Sequence, residues 1–115
     1  MISLSQRQLK ERLDWHQHLI AQNRSRPTPV IVFLHTPLCG TCGAARKMLN
    51  VAEMMLPEGI LLESDVNFLP EIVTRFEVRS VPALLAVTGD PGEPYQLLYR
   101  MGSVQDILNF VRSVL

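Results

Sequence analysis

Val30-Ile31-Val32-Phe33-Leu34-His35-Thr36-Pro37-Leu38-Cys39-Gly40-Thr41-Cys42 is the stretch of this 115-residue chain that decides its fold. Its first five residues form an apolar, largely β-branched run without alternation, the pattern of a strand buried on both faces, and so of a central parallel strand covered by helices. His35 to Leu38 make a short connection, and beyond Cys39 the residues Ala45, Met48, Leu49, Ala52, Met55 and Leu56 recur at helical spacing. The two cysteines, all that the chain contains, therefore fall where a buried strand hands over to a helix. The thiolate is the attacking form of a cysteine, and a helix N-terminus stabilises that anion through unpaired amides and the helix dipole, so Cys39 is placed for nucleophilic chemistry. Cys42 stands three residues on along the same helical face, near enough to close a small ring with Cys39, and Gly40-Thr41 lets the chain turn between them.

Upstream, Ser5 to about Gln22 lacks Pro and Gly, and Leu9, Leu13, His16 and Ile20 mark one face of an amphipathic helix, with Trp15 and Leu19 widening the stripe. Asn23 to Pro29 carries two prolines and reads as a loop. Downstream, Pro57-Glu58-Gly59 stops the cysteine-bearing helix and Gly59 to Val66 reads as a strand. Asn67 can cap a short helix over Leu69 to Phe76, with Ile72, Val73 and Phe76 facing inward. Ala83 to Val87 and Tyr95 to Met101 make a hairpin around the breakers Gly89 to Pro94. Ser103 and Asp106 open a last helix whose inner face is Ile107, Phe110, Val111 and Val114. Strand-helix-strand units imply parallel pairing and the hairpin adds antiparallel strands, so the expected architecture is a three-layer α/β domain with a mixed sheet.

The length suits one domain spanning residues 1–115, with a helix and loop over 1–26 and the core over 27–115. Eleven basic residues balance eleven acidic ones, which argues against nucleic acid and anionic membrane as partners. The longest strongly apolar run, Val30 to Leu34, is far too short to span a bilayer, and charges interrupt Met1 to Leu19 where an export signal needs apolar continuity. A cytoplasmic location is the expectation. Two cysteines are too few for a secreted disulfide scaffold, and a Cys-x-x-Cys spacing points to redox or metal chemistry.

The order Val30 to Leu34, Cys39-Gly40-Thr41-Cys42, Asp65 closing the next strand, Ser80-Val81-Pro82 before the hairpin and Met101-Gly102 before the last helix resembles the thioredoxin family, over about Thr28 to Leu115. The resemblance implies a thioredoxin-like sandwich with a central mixed sheet of about four strands, here with an N-terminal helix in place of the usual first strand. It also implies a protein-disulfide reductase in which Cys39 attacks a client disulfide and Cys42 resolves the mixed disulfide. No cofactor beyond the cysteine pair is implied. The implied partners are protein disulfides and an external reductase such as a thioredoxin reductase, with the protein itself a monomer. Leu38, Gly40, Thr41, Val81, Pro82 and Gly102 would line the client site, with the Val81-Pro82 bond cis and the Val81 backbone pairing with an extended client segment.

The sequence departs from the housekeeping pattern in three places. Leu38 stands where a tryptophan is usual, and Thr41 where a proline is most common. The buried aspartate of the first central strand falls by register to Phe33, and its lysine partner to Glu63. Glu63 is accordingly expected to supply the acid/base function, while His35 reads first as a hydrogen-bonded histidine packed beneath the loop and second as a protonated imidazole that helps stabilise the thiolate. Other readings stand beside these: a binding or chaperone module whose cysteines act as a redox switch, and a metal site, for which His16, His18 and His35 are the other candidate ligands. Arg46 and Lys47 read as the solvated face of their helix. His16 and His18 read as surface or boundary residues, Met48 and Met55 as core, and Met54 as boundary filler.

Overall fold

Residues 1–22 and 26–115 are described by a computed structural model, and residues 23–25 of the Asn23 to Pro29 loop lie outside it. A short strand β1 (Ile2–Ser3) leads into α1 (Gln6–Ala21), followed by β2 (Val30–His35), α2 (Gly40–Glu53), β3 (Leu61–Asp65), a 3-10 turn (Val66–Phe68), α3 (Pro70–Arg75), β4 (Ala83–Val87), β5 (Tyr95–Leu98) and α4 (Val104–Val114). Among the described residues, five strands make one sheet in the order β1-β3-β2-β4-β5. β1, β3 and β2 run parallel, and β4 and β5 are antiparallel to their neighbours. The apolar run Val30 to Leu34 is thus the middle strand, buried along its whole length.

Alternation along β2 divides the core between the two faces of the sheet. Ile31 and Phe33 face α2 and α4, packing with Cys42, Ala45, Leu49, Ile107 and Val111. Val30, Val32 and Leu34 face the other way, toward Leu9 and Leu13 of α1 and Ile72 and Phe76 at α3. The helices start where their side chains can satisfy free amides. The Ser5 hydroxyl accepts from the Gln8 amide while Gln8 reaches back to the Ser5 amide, and Ser103 accepts from the Asp106 amide.

Several expectations change. The helix at the N-terminus does not replace the first strand but follows one, and the sheet has five strands rather than about four. Two residues cannot display a strand period, yet Ile2 and Ser3 pair in register with Leu62 and Glu63. Asn67 does not cap α3. It sits in the 3-10 turn, its amide donating to the Asp65 carboxylate at 2.9 Å and its side chain donating to the Thr36 hydroxyl at 2.8 Å. Helix α2 ends at Glu53, so Met55 is exposed instead of continuing the stripe. His16 is 4% exposed, a core residue and not a boundary one, while Trp15 stays largely exposed.

Candidate active site

Cys39 is the N-cap of α2: its backbone is extended, and its Sγ accepts from the Cys42 amide at 3.2 Å. A sulfur at this position lies against the unpaired amides of the first turn, where negative charge is favoured. Cys39 and Cys42 are disulfide-bonded, with Cα atoms 5.3 Å apart, in the ordinary range for such a bridge. The pair is asymmetric. Cys42 is 5% exposed and packs with Phe33 and Ala45, whereas Cys39 is only partly buried.

Around Cys39 the client-site expectations separate. The Thr41 hydroxyl lies 3.4 Å from Cys39 Sγ and the Val81 carbonyl oxygen 3.7 Å, so the loop before β4 meets the start of α2. The Val81-Pro82 bond is cis. The Arg79 amide donates to the Tyr99 hydroxyl at 3.0 Å, tying the loop before Val81 to the segment after β5. Leu38 is 97% exposed, an apolar side chain directly before Cys39. Gly40 is exposed at the start of α2. Gly102 is also exposed, and follows Met101, which is buried in the cluster that holds Cys42.

Phe33 and Glu63 are direct neighbours across β2 and β3. No carboxylate stands under Cys42 at position 33, where the fully buried ring packs instead. Glu63 is 14% exposed, and both of its oxygens accept from Arg46 Nη1, at 2.9 and 2.8 Å. Arg46 is therefore not a solvated-face residue. Its guanidinium lies 5.5 Å from the Phe33 ring centroid, and it was missed because a helix pattern does not show which neighbouring strand supplies an opposite charge. Lys47, one position on, is exposed.

The His35 side chain is 15% exposed, its ring 5.2 Å from that of Phe33 and its Nε2 3.5 Å from Glu63 Oε1. Desolvation, and then the Arg46 guanidinium, push its proton affinity below the ordinary imidazole value, against opposing pulls from Glu63 and Asp65. Burial beside the guanidinium therefore favours the uncharged form of the His35 ring. His16 and His18 belong to α1, and among the described residues no three His, Cys, Asp or Glu side chains gather as a metal site.

A mixed sheet between helices, with a cysteine pair capping the helix after the middle strand and a cis-proline loop against it, defines a thioredoxin-like protein. The chain belongs to the thioredoxin family: it is 33% identical over 83 residues to the thioredoxin-like protein YusE of Bacillus subtilis, a match covering 72% of this chain and 76% of that one. The fold is shared with chloroplastic thioredoxin z, at a TM-score of 0.69 and 20% identity over 99% of this chain and 93% of the other. It is shared equally with Fasciola hepatica thioredoxin, at a TM-score of 0.69 and 16% identity over the full length of both. No protein-family model matches the chain. Family and cysteine pair together support a redox function. Among the described residues, no helix is long and apolar enough to cross a membrane.

Proposed function

We propose that this protein reduces protein disulfides by dithiol-disulfide exchange. The asymmetry of the pair carries the reading: Cys39 is at the helix cap within reach of a client, and Cys42 is buried behind it. Cys39 thiolate attacks one client sulfur, forming a mixed disulfide and releasing the other sulfur as thiolate. Cys42 then attacks Cys39 Sγ, forming the intramolecular disulfide and releasing the client's second thiolate. The two electrons that reduce the client come from the two cysteines, so no resident cofactor takes part, and an external reductase of the thioredoxin-reductase class restores the dithiol. An extended client segment lies along the Val81 backbone beside Pro82, with Leu38, Gly40, Thr41 and Gly102 forming the rim. Neutral overall charge fits recognition by backbone pairing and apolar contact. The protein works as a monomer in a reducing, cytoplasmic setting, where a dithiol is the resting form.

Reduction of insulin disulfides with dithiothreitol as electron source tests this. Turnover that disappears in Cys39→Ser supports the reading, and capture of clients as mixed disulfides on Cys42→Ser identifies them. Native activity no better than dithiothreitol alone would refute it and favour a binding module whose cysteines act as a switch.

A further inference from the structure

The pole of the sheet opposite the cysteines carries a second concave surface. Cys39 lies beyond the C-terminal end of β2, six residues that at about 3.3 Å each span about 20 Å. Val30, at the other end of that strand, borders a cleft of about 480 Å³, a volume in the range of small-molecule sites. The cleft lies between α1, the Pro27-Thr28-Pro29 approach to β2 and the start of β3.

Arg12, Trp15 and Leu19 recur at three- and four-residue spacing, so one edge of α1 sets all three along the cleft. Its apolar floor is Val30, Ile60 and Leu62, each no more than 8% exposed. Trp15, the only tryptophan of the chain, is 60% exposed although its ring stacks on His18, so a fixed indole face is left uncovered at the rim. Two guanidinium groups stand beside it. Arg12 has no ion-pair partner among the described residues. Arg26 meets only Asp90 among them, at 3.4 Å with both side chains largely in solvent, a contact that holds it weakly and leaves most of its five donors available. No aspartate or glutamate is among the described residues that line the cleft. Two cations over an apolar floor complement an anion with an apolar body, and the guanidinium fork matches a carboxylate. Inorganic phosphate would leave the floor and the indole uncovered.

We propose that this cleft binds a medium-chain aliphatic carboxylate. Arg12 and Arg26 donate to its carboxylate at the mouth, and its tail lies on Val30, Ile60 and Leu62 against the Trp15 ring. The ligand is bound and not chemically changed, and the site is independent of the reductase reading: none of Arg12, Trp15 and Arg26 belongs to the cluster that holds Cys42. The exposed indole then has an occupant, which the packing of α1 against the sheet does not give it.

Trp15 fluorescence reports on the cleft directly, because the chain has no other tryptophan. Titration of the native protein, disulfide intact, with sodium octanoate should give a saturable change. Sodium hexanoate should bind about tenfold more weakly, since it buries two methylenes fewer. Octylammonium chloride presents the same tail with the opposite charge and should give no saturable change. Arg12→Gln and Arg26→Gln should each weaken octanoate about tenfold, the loss of a charge-assisted hydrogen bond at a partly exposed site. Both side chains are exposed, so these variants should unfold at the native temperature. Titration calorimetry of the native protein with octanoate repeats the measurement without the fluorophore. The proposal is overturned if octanoate gives no saturable signal by either method, if octylammonium binds as tightly as octanoate, or if both arginine variants keep the native affinity for octanoate.

Discussion

Phe33→Ala puts the floor of the site to a quantitative test. Phe33 is fully buried in the middle strand, between Glu63 and Leu84 on the flanking strands, and it meets Cys42, His35 and Arg46. Truncating a buried phenylalanine to alanine costs about 3–5 kcal/mol through lost transfer energy and the cavity left behind. The guanidinium stacked on the ring adds about 0.5–1 kcal/mol at its partly exposed position. The expected loss is therefore about 3.5–6 kcal/mol, a large share of the roughly 5–15 kcal/mol available to a domain. At about 4 °C per kcal/mol, thermal unfolding should move down by about 14–24 °C. Phe33→Leu, which keeps most of the volume, should lose about 1.5 kcal/mol or less. Urea titration of both variants with the disulfide intact measures the differences directly. A loss under about 2 kcal/mol for Phe33→Ala at an unchanged urea dependence would mean that the ring does not support this face of the core.

Three further outcomes are expected. Thr41→Val removes the hydroxyl 3.4 Å from Cys39 Sγ; one hydrogen bond of about 1 kcal/mol corresponds to about 0.7 pH unit, so alkylation of Cys39 in a Cys42→Ser background should have its midpoint raised by about that amount. Gly89→Ala should destabilise by about 1–3 kcal/mol in thermal denaturation, because Gly89 has φ +73° and a Cβ there would lie 1.9 Å from Ile20 Cδ1. Burial lowers the proton affinity of His16, so the folded state disfavours its charged form. Its contribution is complete above the unfolded value of about 6.5 and is lost as pH falls toward the folded value. The native urea midpoint should drop between about pH 7.5 and 5.5, and less so in His16→Gln; equal drops would count against this account.

The strand and helix that present the cysteines were readable because both give strong local signals: an unbroken β-branched run in Val30 to Leu34 and an apolar stripe through Ala45, Leu49 and Ala52. Cys39 and Cys42 could be singled out by their spacing at that strand-to-helix junction, whereas Val81 and Pro82 entered only through the family resemblance. β1 escaped because two residues have no measurable period, and its place is set by pairing with Leu62 and Glu63 about sixty positions away. The same limit hid Arg46. Nothing local distinguishes it from exposed Lys47, and only the packing of α2 over β3 brings it to Glu63. His16 looked polar enough for the boundary, but the helical stripe that it shares with Leu9 and Leu13 carries it into the core.

Leu38 stands almost wholly in solvent, on a connection whose shape is maintained by others: the Thr36 carbonyl accepts from the Cys39 amide, and Asn67 holds the Thr36 hydroxyl. A side chain with so few neighbours contributes little to folding, and surface positions of this kind usually change stability by less than about 0.5 kcal/mol when replaced. Replacements at position 38 are therefore expected to leave both the sheet beneath it and the packing of α2 undisturbed. Surface character and architecture are free to drift independently at this point beside the cysteine pair.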